Sequence, residues 1–377
     1  MRVLHLATHL NTGGITTYIL KLAAPIKQYG VEFVVVSSGG EWKKQFEDQN
    51  IPCFDLNIRT KNELHPKLYL AIPRILQILK EQKIELIHAH SRVTQVLAFW
   101  VSLISGIPFV TTCHGFYKRR LGRRLLPAWG VRAIAISQAV GDELAHDFHV
   151  SKDRIKVINN GVDFNELRKL YSLHKTDEVR RNYGIAPTDF VVGEVARLVE
   201  DKGHEYLIRA IHELKPVFPN LKVLIVGEGR QMEYLRVLSR NLNLADDIIF
   251  TGNVKDITLP LACMDVFVLP ATWREGFGLS IVEAMACKRP IIVTNIWALN
   301  SLIQHGVTGL MVEPKQIAPL AAAIRELIVN AEYSKRLALE GNKMAERLFS
   351  INRMAEEIAA LYQQVTASHS IHQGKRI

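Results

Sequence analysis

Two acids separated by seven residues, Glu275 and Glu283, and two cations, Arg197 and Lys202, are the strongest candidates for chemistry in this sequence of 377 residues. The acids stand in Arg274-Glu275-Gly276-Phe277-Gly278-Leu279-Ser280-Ile281-Val282-Glu283-Ala284-Met285-Ala286, after the apolar run Val266–Leu269. A helix is predicted to open near Gly278, which puts Glu275 at a loop tip and Glu283 on the helix. So placed, the pair can hold two neighbouring hydroxyl-rich groups, while the glycines let backbone N–H groups approach a phosphate. A buried structural Glu and a helix N-terminal acid are the plainer alternatives. Arg197 and Lys202 lie in Glu194-Val195-Ala196-Arg197-Leu198-Val199-Glu200-Asp201-Lys202-Gly203, on a loop leaving a strand. A planar guanidinium fork and a compact ammonium together suit a diphosphate leaving group. The alternative is an exposed loop with ordinary surface charge. No Asp-x-Asp triplet occurs, so a metal-dependent diphosphate site has no ligands of that kind. Arg197, Lys202 and helix N-termini are expected to do a metal's electrostatic work, with no metal and no other cofactor.

The elements that must position these residues follow one grammar. Continuous apolar runs over Arg2–Ala7, Glu32–Ser37, Leu86–Ala89, Phe109–Thr112 and Ala133–Ile136 alternate with helical patterns over Ile15–Tyr29, Lys43–Gln49, Lys67–Lys83 and Arg92–Ile104. The runs lack polar alternation, as strands of a parallel sheet covered on both faces do. The series restarts at Phe190–Val195 and continues through Lys222–Val226, Ile248–Thr251, Val266–Leu269 and Ile291–Thr294. Helices are expected between them over His204–Val217, Arg230–Leu242, Gly278–Ala286 and Ile317–Val329. The class is α/β, with two Rossmann-like, doubly wound parallel sheets facing across a cleft, where ligands meet the carboxyl ends of the strands. Domains are expected at 1–165 and 166–350. A helix over 351–367 is expected to pack back on the first domain, followed by a tail at 368–377. Gly13-Gly14, at the first strand-to-helix turn, is either a tight turn or a place where backbone meets phosphate.

Composition narrows the classes further. Hydrophobic residues make up 48% and charged residues 22%, an ordinary globular balance. Cys53, Cys113, Cys263 and Cys287 form no CxxC pair and sit in apolar surroundings, so they read as reduced core thiols. The uncharged stretch from Val93 to Cys113 is cut by Gly106 and Pro108 and reads as a helix and a strand rather than a membrane span. The net charge is +10. Lys118, Arg119, Arg120, Arg123 and Arg124 crowd one loop without an acid, interleaved with Phe116, Tyr117, Leu121, Leu125, Leu126 and Trp129. That loop is either a solvated basic turn or a surface for anions, such as an acidic acceptor or an anionic membrane.

Nearly the whole chain resembles the family 4 retaining glycosyltransferases of the GT-B fold. Glu275 and Glu283 match the family's E-x7-E motif. The resemblance is also carried by Gly13-Gly14, Ile87-His88-Ala89-His90, Thr112-Cys113-His114-Gly115, Ala135-Ile136-Ser137, Asn160-Gly161-Val162-Asp163, Val226-Gly227-Glu228-Gly229 and Thr251-Gly252. It implies that Glu283 binds ribose hydroxyls and Glu275 hydroxyls of the donor sugar. Arg197 and Lys202 would hold the diphosphate, helped by backbone at Gly13, Gly14, Phe277, Gly278 and Leu279. Gly229 and Arg230 would lie near the base, with Val254 at its edge. His114 matches the family's active-site histidine. One loop departs from the family: Asn295-Ile296-Trp297-Ala298-Leu299-Asn300-Ser301 stands where a glycine pair and an acid are usual.

The resemblance implies transfer of a sugar from a UDP- or GDP-hexose, with retention, to a hydroxyl of a cell-surface glycan or lipid-linked acceptor. Hexosyl transfer in lipopolysaccharide or cell-envelope polysaccharide synthesis is the corresponding role. A double displacement lacks a clear carboxylate nucleophile, which favours front-face attack. A cytoplasmic location is expected, with peripheral binding to the inner face of the plasma membrane. A sugar-nucleotide 2-epimerase of similar architecture is the competing enzyme. A non-catalytic anion or nucleic-acid binder rests on charge alone, and no nucleic acid partner is expected.

Overall fold

The structure is a computed structural model that describes residues 1–119 and 121–374, without the side chains at 121, 124 and 370–374. The chain forms two compact units. One comprises Met1–Gly161 together with the chain from Ile351, and the other comprises Val162–Ser350.

The first unit is built on seven parallel strands: β1 (Arg2–Leu6), β2 (Glu32–Ser37), β3 (Cys53–Asp55), β4 (Leu86–Ala89), β5 (Phe109–Cys113), β6 (Arg132–Ala135) and β7 (Ile155–Val157). Their order is β3-β2-β1-β4-β5-β6-β7, so the chain reverses its winding beside β1 and β4. Register sets Leu4 beside Ile87 and His5 beside His88. Helices cover both faces, which is why the central strands carry apolar residues without alternation. Ile19, Leu22 and Ile26 of the helix Gly14–Ile26 share one core with Ile358 and Tyr362 of the helix Ile351–Gly374. Ile75, Ile78, Leu97 and Val101 fill the other face. The last helix reaches Gly374, beyond the end at 367 that the sequence pattern indicates.

The second unit carries six parallel strands: β8 (Phe190–Val195), β9 (Leu221–Val226), β10 (Ile248–Gly252), β11 (Val266–Leu269), β12 (Ile291–Thr294) and β13 (Leu310–Val312), in the order β10-β9-β8-β11-β12-β13. Leu207, Ile211, Leu235, Ile324 and Leu327 close one face of the sheet. The helix Leu279–Ala286 packs on the other face with Ala331–Phe349, a mostly polar helix that buries Leu337, Ala338, Met344 and Ala345. Three strands escape the sequence pattern: β3, β7 and β13. Each has three residues at a sheet edge, too short to print a period. Between β7 and β8 lie the helices Phe164–Ser172 and Thr176–Asn182. Among the described residues no helix is long and apolar enough to cross a membrane.

Candidate active site

The second unit brings Lys202 and Glu275 together across 73 positions of sequence. The Lys202 ammonium pairs with Glu275 Oε2 where both side chains are largely buried. Glycine makes this approach possible. Gly203 has φ +78°, and a Cβ there would fall 2.0 Å from the Pro270 carbonyl oxygen. The backbone following Lys202 therefore lies directly against the loop that leaves β11, and Thr272 N donates to Asp201 O at 2.8 Å. Glu275 Oε1 also accepts from Gly276 N at 3.1 Å. Glu283 is half-buried on the helix Leu279–Ala286. That helix starts at Leu279 after its N-cap Gly278, which lies in the left-handed region at φ 92°, and among the described residues no side chain caps its first turn. Its leading N–H groups are thus available to an anion. Phe277 turns its ring into the core against Phe349, so this residue can meet a ligand only through its backbone.

Arg197 lies on the loop after β8 with an exposed side chain, and its carbonyl accepts from His204 Nε2 at 3.1 Å. Behind it sits a buried pair that the sequence reading missed. Glu194 and His204 are both almost wholly inaccessible, with Glu194 Oε2 2.8 Å from His204 Nδ1. Burial raises the carboxyl of Glu194. Burial works against a charged His204, but the charge and hydrogen bonding of Glu194 outweigh it and leave the imidazole raised. Glu194 interrupts an otherwise apolar strand, and that was the available signal.

The remaining donor candidates of this unit ride on adjacent loops at the same strand ends. Gly229 lies so close to Leu198 that a Cβ would stand 2.2 Å from its carbonyl oxygen. Arg230 is exposed and paired with Glu200, its Nε donating at 2.9 Å. Val254, half-buried, follows β10, and the loops of β9 and β10 are tied by Asn253 Nδ2 donating to Glu228 Oε2 at 2.9 Å. The departing loop forms a short turn, Trp297–Asn300, which buries Ala298 and Leu299 and leaves Trp297 67% exposed.

In the first unit Gly13 caps the helix Gly14–Ile26 with extended backbone, and a Cβ on Gly14 would meet nothing within 4 Å. Neither conformation nor packing demands glycine there. Bare backbone at an uncapped helix start is what an incoming phosphate would need.

His114 is half-buried after β5, and it is not isolated. His5, His88 and His90 lie beside it, all buried. His114 Nε2 is 3.0 Å from His90 Nδ1, and His90 Nε2 is 2.9 Å from His5 Nδ1. His88 Nε2 lies 2.7 Å from Thr112 Oγ1, and its Nδ1 meets the hydroxyl of Tyr362 on the last helix. Burial holds the rings of His5, His88 and His90 well below the usual histidine range and pushes His114 down to about 3. The two-residue spacing of His88 and His90 is the legible sign of this cluster; the register that sets His5 beside His88 comes only with the fold.

The basic loop needs correcting. Arg123 is buried, not a surface cation, with its guanidinium carbon 4.0 Å from the Tyr117 ring centroid and close to the rings of Trp129 and Phe148. An arginine can stack on aromatic faces where a lysine would stay hydrated, and residue type alone does not reveal this. Lys118 and Arg119 are exposed, and Arg119 pairs with Asp147. Arg120 and the side chain of Arg124 lie outside the described residues. Leu125 is 77% exposed. Cys113, Cys263 and Cys287 are buried and Cys53 partly so; all four are free thiols, and burial raises each of them.

Residues 12–166 match the family Glycosyltransferase Family 4, and residues 175–344 match Glycosyl transferases group 1. An uncharacterised glycosyltransferase of Methanocaldococcus jannaschii is 26% identical, over 93% of this chain and 94% of its own. A UDP-Gal:alpha-D-GlcNAc-diphosphoundecaprenol alpha-1,3-galactosyltransferase of Escherichia coli is also 26% identical, over 90% of each. Among solved structures, HepE of Anabaena in complex with UDP superposes with a TM-score of 0.83 and 25% identity, over 97% of this chain and 100% of that one. The same protein has been solved with UDP-glucose, at a TM-score of 0.82.

Proposed function

The chain belongs to the family 4, group 1 glycosyltransferases of the GT-B fold, and from that premise we propose that it transfers a hexose from a nucleotide diphosphate sugar, with retention and without a metal. The observation that carries the proposal is the Lys202–Glu275 pair, on the loop that leads into the helix starting at Leu279 without a side-chain cap. An arriving diphosphate draws Lys202 to itself, with Arg197 as its second cation, and the released Glu275 carboxylate accepts hydrogen bonds from sugar hydroxyls. Glu283 takes the ribose hydroxyls. Backbone at Gly13, Gly14, Phe277, Gly278 and Leu279 serves the phosphates, and Gly229, Arg230 and Val254 border the base. His114 is the first unit's residue for the transferred sugar. The departing phosphate oxygen takes the acceptor's proton in a front-face displacement. A UDP-hexose is the preferred donor, because the structurally similar HepE binds UDP and UDP-glucose.

The acceptor we propose is a hydroxyl of a lipid-linked or cell-envelope glycan, reached at an anionic membrane surface by Lys118, Arg119 and the exposed Leu125. The diphosphoundecaprenol in the name of the Escherichia coli relative supports this class. Three measurements test the reading. Glu275→Ala should abolish transfer from UDP-hexoses to a diphosphoprenol-linked glycan in a folded protein, and full activity would overturn the assignment. EDTA should leave the wild-type rate unchanged, and loss of activity would overturn metal independence. Anionic vesicles should retain more protein than neutral ones, the difference shrinking in Lys118→Glu/Arg119→Glu; equal retention by both vesicle types removes the membrane part.

A further inference from the structure

Three imidazoles stand in a row across neighbouring strands. His5 is on β1, His90 follows β4 and His114 follows β5. The two N···N contacts are 2.9 and 3.0 Å, and the ring centroids are 5.1 and 5.3 Å apart. Each separation is the contact plus two ring radii, so each bond runs along the line joining the rings, as a good hydrogen bond requires. The ring planes are 13° and 35° from parallel. Burial keeps all three rings neutral.

A neutral imidazole has one N–H and one lone pair. A row of three can therefore be ordered in two ways: every proton points from His5 towards His114, or every proton points back. The His5 end separates them. Among the described residues His5 Nε2 is buried with no hydrogen-bond partner, and the ring packs against Phe33. Protons pointing back would strand an N–H there, and protons pointing forward strand only a lone pair. Orphaned buried N–H groups are rarer than unsatisfied acceptors. The forward order follows, with His114 accepting at Nε2 and protonated on Nδ1.

We propose that His5 and His90 are positioning residues that fix the tautomer of His114, so that its outer nitrogen is a hydrogen-bond donor to a bound sugar. The functional meaning rests on the role proposed above for His114, but the tautomer does not. An imidazole in this state can stabilise an oxygen but has no lone pair left to take the acceptor's proton. That leaves the proton to the departing phosphate, in keeping with front-face attack. The nitrogens of His5, His88 and His90 also lie within 4.8 Å of one another, as metal ligands would. Both nitrogens of His88 and of His90 are already engaged, however, which makes hydrogen bonding the better account of the cluster.

Long-range 1H–15N correlation spectra of the full chain labelled at histidine test the idea, with His114 assigned by its loss in His114→Ala. The expected spectrum shows His114 protonated on Nδ1 in the wild type. His90→Phe should lose that pattern and lower kcat about tenfold or more with donor KM little changed, as when the partner of an oriented histidine is removed. His90→Asn places an amide N–H near the lost Nδ1–H and should recover both. Protonation on Nε2 in the wild type, or an unchanged tautomer in His90→Phe, overturns the proposal. If His90→Phe does not fold, the wild-type and His90→Asn spectra still decide. Full transfer activity in His114→Ala would sink the role of His114 in the reaction while leaving the tautomer assignment standing.

Discussion

At the scale of single residues, the contact between Lys202 and Glu275 makes a sharp prediction. Each is the other's counter-charge, so removing one leaves the other's charge without its partner. Lys202→Ala should lower kcat/KM by roughly 2–4 kcal/mol of transition-state stabilisation, the cost of losing one preorganised donor to a developing anion. Lys202→Arg keeps the charge but not its compact geometry, and should recover only part of it. Steady-state kinetics with the donor varied at saturating acceptor would show this, and an unchanged kcat/KM in Lys202→Ala would remove Lys202 from the reaction. Glu275, Glu283 and Lys202 stand out in sequence as candidates through the E-x7-E spacing and a cation on the loop after β8. Arg123 was not: five cations in one loop look alike in sequence, and only folding shows which one lies among Tyr117, Trp129 and Phe148. Glu194 and His204 were missed for the opposite reason, since each looks unremarkable without its partner.

At the scale of elements, the strand ends carry the site, and one glycine sets the distance between two of them. Gly203 needs both a left-handed backbone and the absence of a Cβ against Pro270. Gly203→Ala should therefore cost roughly 1–3 kcal/mol of stability, through strain and overpacking, and should push Lys202 away from Glu275. Gly184→Ala is the control, because Gly184 has φ +69° but open space around it. It should cost only the conformational part, about 1–2 kcal/mol, and leave activity intact. Chemical denaturation and transfer assays on both variants would separate the effects; equal activity loss in the two would deny Gly203 its positioning role. The central strands were readable from their unbroken apolar runs. The edge strands β3, β7 and β13 were not, because three residues beside one neighbour need little hydrophobicity of their own. The helix Ala331–Phe349 was hidden by its polar face, although its buried residues keep a helical spacing.

At the scale of the molecule, the histidine cluster ties stability to pH. The folded-state pKa values of His5, His88 and His90 are depressed, while the unfolded chain returns them to about 6.5. Below that pH the unfolded state binds protons that the folded state refuses, so stability is full above it and falls as pH falls. These three, with His114 held low as well, give a slope of at least about 4 kcal/mol per pH unit below pH 6. Urea midpoints measured near neutrality and at mildly acidic pH should show a steep loss, and a flat profile would contradict neutral burial of the three rings. The same cluster bears on how the protein is made. Tyr362, from the last helix, reaches His88, and that helix fills one face of the first sheet. The N-terminal sheet is synthesised well before the helix from Ile351 that covers this face. The contiguous second unit is synthesised in between, and a truncation that removes the helix from Ile351 should destabilise the N-terminal unit.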